Sequence, residues 1–139
     1  MFDCLILGDS LAQGVSWQMP ECHAVVVAGM KSRNFYSILF NNLSDGPLPD
    51  DYVLISLGSN DNNDPDLEEK LDQIRSVLRS PNVTWLLCAN SQYAHDIAEK
   101  IASKYKDNVI EAKPYVGKDG IHPSYSGYGI IANKWKDTF

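Results

Sequence analysis

The chain has 139 residues, 44% of them hydrophobic and 22% charged, with a formal net charge of −6. That length suits one domain over 1–139 with a sizeable core, and no linker or repeat marks a second. The acid excess argues against a nucleic-acid partner and an electrostatic membrane role, and runs such as HAVVVAGM are too short to span a bilayer.

The first apolar run, CLIL at 4–7, stops at Gly8 and is followed by Asp9 and Ser10. Asp and Ser favour helix starts, so this stretch reads either as ordinary strand-to-helix punctuation or as the display of a reactive hydroxyl. Further strand-length runs follow at 23–28, 52–57 and 83–88, with a weak one at 109–110. Their apolar residues are consecutive rather than alternate, which predicts strands buried on both faces of a parallel sheet.

Helical spacing fills the gaps between these runs. Phe35, Ile38, Leu39 and Leu43 mark one helix. Leu67, Leu71, Ile74 and Leu78 mark another, behind the start signal Asp64-Pro65-Asp66. Tyr93, Ile97, Ile101 and Tyr105 mark a third, and Tyr128, Ile131 and Trp135 a last one. Tyr93, Tyr105, Trp85 and Trp135 fit these periods and are expected to pack. Alternating strands and helices predict an α/β fold with a parallel sheet, whose ligands bind at the carboxyl ends of the strands.

Small and polar residues gather at those ends. Gly8-Asp9-Ser10 follows the first run, Ala28-Gly29-Met30 the second, Gly58-Ser59-Asn60-Asp61 the third and Asn90 the fourth. Late in the chain, GKDGIHPSYSG supplies Asp119 and His122, with Gly120 allowing a bend and Pro123 expected to open the next helix. A serine hydroxyl needs a base, an imidazole suits that task, and a carboxylate holds the imidazole's tautomer. Ser10, His122 and Asp119 are therefore candidate nucleophile, base and orienting acid. The N–H groups of Ser10 and Gly29 and the side-chain amide of Asn60 are candidate oxyanion donors. Asn90 and Tyr125 are candidates for substrate contact.

The blocks GDSLAQG, the glycine after the second strand, GSND and DGIHP, in this order, resemble the SGNH hydrolase superfamily, the GDSL lipases and esterases. The resemblance implies a three-layer α/β/α sandwich with a five-stranded parallel sheet, flavodoxin-like in arrangement. It implies Ser10 as nucleophile, Gly29 and Asn60 in the oxyanion hole, and Asp119 and His122 completing a triad. The expected activity is ester hydrolysis through an acyl-enzyme, removing a short acyl group such as acetyl from a carbohydrate or other large substrate. A glycan- or peptide-binding module on the same fold, or an acyltransferase with the same triad, are the alternatives.

Other features read as structural. Asp9 is expected to support its loop. A metal site from Asp61, Asp119 and His122 matches no zinc spacing, SNDNNDPD lacks the glycine and glutamate of a calcium loop, and no cofactor is expected. His23 begins a strand and His95 lies on a helix, neither with a partner signal. Cys4, Cys22 and Cys88 form an odd, scattered set with no metal pattern, read as reduced thiols, with Cys88 in the core. With no basic leader visible, the expected setting is cytoplasmic.

Overall fold

Five short apolar segments line up into one all-parallel sheet in the computed structural model, which describes residues 3–139. The strands β1 (Cys4–Gly8), β2 (His23–Val26), β3 (Tyr52–Ser56), β4 (Val83–Leu87) and β5 (Asn108–Glu111) take the order β2-β1-β3-β4-β5. The helices α1 (Ser10–Gln18), α2 (Ser32–Ser44), α3 (Leu67–Ser76), α4 (Gln92–Tyr105) and α5 (Tyr125–Lys136) connect and close it. From β1 the chain steps outward to β2, then crosses back over β1 to β3 and onward. Right-handed crossovers therefore put α1 on one face and α2, α3 and α4 on the other. The contacts agree: α1 packs on α5, α2 on α3, and α3 on α4.

Burial follows from this layering. β1 and β4 are buried at every position, because helices cover both faces. Trp85 and Trp135 are completely enclosed, as their spacing predicts. Tyr93 departs from expectation: it is partly exposed, and its hydroxyl donates to the Asp64 carbonyl at 2.7 Å, while Ala94 and Ala98 turn inward instead. The run at 23–28 is also shorter and more exposed than an interior strand. β2 lies at a sheet edge, with His23 and Ala24 facing solvent, because no strand among the described residues pairs beyond it.

Cys4 and Cys22 form a disulfide, which corrects their reading as separate reduced thiols. The register explains the meeting: Leu5 pairs with His23, so the preceding residues of β1 and of the approach to β2 lie side by side. Disulfides persist in oxidising surroundings, so the bond weighs against a reducing, cytoplasmic setting. Cys88 is the buried free thiol, and burial pushes it up to about 11, so it is inert as a nucleophile. Among the described residues, no helix is long and apolar enough to cross a membrane.

The strand order reverses direction between β1 and β3. In open parallel sheets, that switch opens a crevice at the carboxyl ends of the strands. Ser10 follows β1 and Asn60 follows β3, so both stand at its rim.

Candidate active site

Gly8 brings the chain to this rim in a conformation few other residues tolerate. Its φ is +142°, and a Cβ there would run into the Ser56 carbonyl. The close approach lets Asp9 N–H donate to that carbonyl at 3.0 Å, while Val27 N–H donates to the Gly8 carbonyl at 3.0 Å. Asp9 then caps α1, accepting from Leu11 N–H at 3.0 Å. Both readings of the opening motif therefore coexist: Asp9 supplies the punctuation, and Ser10 begins the helix with its hydroxyl free for other work.

That hydroxyl meets His122. Ser10 Oγ lies 2.8 Å from His122 Nε2, across 112 residues of chain. On the other side of the ring, His122 Nδ1 lies 2.7 Å from Asp119 Oδ2. The bond from His122, reinforced by backbone N–H groups, holds the Asp119 carboxyl down at about 2. At neutral pH it is a pure acceptor, so Nδ1 carries the proton and Nε2 is left to accept from the serine.

The loop is built to present this pair. Asp119 Oδ1 also accepts from the N–H groups of Ile121 and His122, at 2.8 and 2.9 Å. Gly117 N–H closes the loop on the His122 carbonyl at 2.8 Å. Pro123 does not open the next helix. It pairs with Val116, and Ser124 caps α5 by accepting from Gly127 N–H at 3.0 Å, because proline here continues an extended segment.

The candidate oxyanion donors occupy three neighbouring loops. Ser10 N–H lies in the first turn of α1, where amides have no intrahelical carbonyl to bond. Gly29 sits third in the turn Val27–Met30, closed by Met30 N–H on the Val27 carbonyl at 3.2 Å, and its φ of +77° suits glycine there. Asn60 is half-buried and donates one amide hydrogen to the Met30 carbonyl at 3.3 Å, leaving a second. Asn90 donates to the Ser59 carbonyl at 3.0 Å and so braces the loop after β3. Tyr125 stands 85% exposed at the start of α5, accessible from solvent.

Asp9, Asp61, Ser32 and Ser59 form a polar layer beneath the rim. Ser59 Oγ donates to Asp9 Oδ2 at 2.7 Å, and Asp61 accepts from Ser32. Sequence reasoning had no signal for Ser32, which no short motif links to residue 61. It also missed partners for His95, whose ring lies between Asp96 and Glu111 at 2.9 and 2.8 Å.

Burial raises the Asp9 carboxyl from 3.8 to about 6, against the bonds from Ser59 and Leu11 and with help from the nearby Asp61 charge. Between those values the folded state keeps a proton that the unfolded chain has released. The Asp9 contribution to stability therefore falls as pH rises from 3.8 to about 6, in total by about 3 kcal/mol, and is level above. Asp9→Asn keeps an acceptor for Leu11 and can donate to Ser59. The difference between denaturant midpoints at about pH 4 and about pH 8 should be smaller in this variant than in the parent.

By sequence, no family model and no curated protein matches the chain. Solved structures do match. A GDSL-like lipase from Bacteroides thetaiotaomicron aligns over 97% of this chain and 86% of its own, with a TM-score of 0.68 at 18% identity. The chain has the SGNH hydrolase fold. The same fold is shared with an acetyl xylan esterase variant from Geobacillus stearothermophilus, with a TM-score of 0.69 at 14% identity, covering 99% of this chain and 94% of that one. It is shared too with the C-terminal catalytic domain of a Streptococcus pneumoniae peptidoglycan O-acetyltransferase, with a TM-score of 0.69 at 16% identity, covering 99% and 92%.

Proposed function

We propose that the chain is a serine ester hydrolase, one SGNH domain over 1–139, with Ser10 as nucleophile, His122 as base and Asp119 as orienting acid. One observation carries this reading: a continuous hydrogen-bond relay from Ser10 Oγ through both ring nitrogens of His122 to an ionised Asp119. A helix-capping role needs only Asp9 and leaves that alignment of hydroxyl and imidazole without a purpose.

In the reaction, Ser10 Oγ attacks the ester carbonyl as its proton passes to His122 Nε2. The carbonyl oxygen becomes an oxyanion and takes hydrogen bonds from the N–H groups of Ser10 and Gly29 and from the Asn60 amide. The tetrahedral centre collapses, and Nε2–H gives its proton to the departing alcohol. Water repeats the sequence on the acyl-serine, releasing the acid and restoring the hydroxyl.

The substrate we infer carries a short acyl group, such as acetyl, on a glycan or other large alcohol. The His122 side chain is 44% exposed, so the site is open to a bulky alcohol portion. The fold is shared with a peptidoglycan O-acetyltransferase and an acetyl xylan esterase, both named for acetylated carbohydrate polymers.

A fluorophosphonate probe should label the folded protein at Ser10, read by peptide mass mapping. Folded but unlabelled protein would instead point to the binding-module alternative. Acetyl nitrophenyl ester should be cleaved faster than octanoyl; the opposite order would overturn the short-acyl assignment. An acyl product found on an added alcohol rather than in water would mark a transferase.

A further inference from the structure

Three consecutive residues after β3 each grip a different part of the proposed oxyanion site. Ser59 Oγ donates to Asp9, the neighbour of Ser10, at 2.7 Å. Asn60 donates to the Met30 carbonyl at 3.3 Å. Asp61 accepts twice from Ser32, from its N–H at 2.7 Å and from its hydroxyl at 2.5 Å.

The third grip is the strongest. Asp61 is 5% exposed and Ser32 is fully buried, so these bonds are shielded from competing water. Ser32 is the first residue of α2, and the preceding Lys31 makes no side-chain capping bond. Asp61 therefore caps α2 from another loop, placing an acceptor where the helix presents free N–H groups and its positive end. Two residues separate Ser32 from Gly29. The turn bearing Gly29 is thus tied at Met30 by Asn60 and at Ser32 by Asp61.

We propose that Asp61 is a positioning residue that locks the Gly29 turn against Asn60, so that donors from two loops converge on one oxyanion. The inference rests on the ester-hydrolase reading. Asp61 touches no substrate; it acts through the separation of two groups that do. Misplaced donors weaken the bonds made to the oxyanion, which exists only beyond the ground state, so the loss falls on kcat rather than KM.

The test uses Asp61→Ala, Asp61→Asn and Ser32→Ala on the full chain, with circular dichroism and thermal unfolding to establish folding. Asp61→Ala should lower kcat for nitrophenyl acetate by about 10- to 100-fold with KM within about twofold. Asp61→Asn keeps an acceptor for one of the two bonds, and Ser32→Ala keeps the N–H bond, so both should lose less. Should Asp61→Ala not fold, these two carry the test. A general structural defect would add in full to any other lesion, whereas Asp61 works through the separation of Gly29 from Asn60, which no longer matters once the Asn60 amide is gone. In the Asn60→Ala background, Asp61→Ala should therefore cost less than about threefold further.

Folded Asp61 variants with parental kcat, a loss carried entirely by KM, or full additivity with Asn60→Ala would each overturn the proposal. A parent protein that neither cleaves esters nor labels at Ser10 would defeat the hydrolase reading itself, an outcome distinct from these.

Discussion

Ser10→Ala is expected to lower turnover of nitrophenyl acetate by about 10⁴-fold or more while leaving the fold intact. The Ser10 hydroxyl's hydrogen bond is to His122, across a half-buried surface, so its removal opens no cavity in the core. His122→Ala should fall to a similar rate, because an unassisted hydroxyl is a poor nucleophile. Combining the two should be little worse than either alone, since they act as one unit. Asp119→Ala should lose less, because the imidazole still reaches Ser10 without its tautomer being held. Initial rates of purified variants decide this, and a Ser10→Ala protein cleaving at the parental rate would refute the mechanism.

Asp107→Ala should destabilise the protein by about 3–5 kcal/mol, read as a shift in denaturant midpoint. The Arg75–Asp107 pair is bidentate at 2.7 and 2.9 Å, and its side chains are 9% and 2% exposed. Trp85 Nε1–H donates to the same carboxylate at 3.0 Å, and the guanidinium stacks 4.6 Å from the Tyr105 ring. Removing the acid strands a buried cation and a buried indole N–H together. Lys100→Ala, which breaks a pair with Glu68 exposed at both ends, should cost less than about 1 kcal/mol. Asp107 precedes β5, at the pole of the sheet opposite the site, so esterase activity per folded molecule should be unchanged in Asp107→Ala. Equal midpoint shifts for the two variants would contradict the burial argument.

The layered plan was legible in the chain because burial on both faces leaves a local mark. Runs such as CLIL and WLLC are apolar at every residue only where helices cover both sides, and that implies parallel strands. The sites at the strand ends were legible for a related reason: glycine and small polar residues interrupt the apolar pattern where the chain must turn. Ser10, Asn60, Asp119 and His122 each stand just beyond such a break. Edge position left no mark of this kind, so β2 read like an interior strand although His23 and Ala24 face solvent.

What sequence alone determined here was the order of elements and the chemical types waiting at the rim of the sheet. Tertiary structure decided which of those residues meet. Cys4 bonds Cys22 because strand register sets them abreast, Arg75 meets Asp107 because α3 and β5 flank the same strand, and Asp61 reaches Ser32 because α2 crosses over β1. Local periodicity reports only how deeply a residue is buried. Partners separated by 18, 32 or 29 positions are chosen by the crossovers between strands, and the anchoring beneath the candidate oxyanion site belongs to that level.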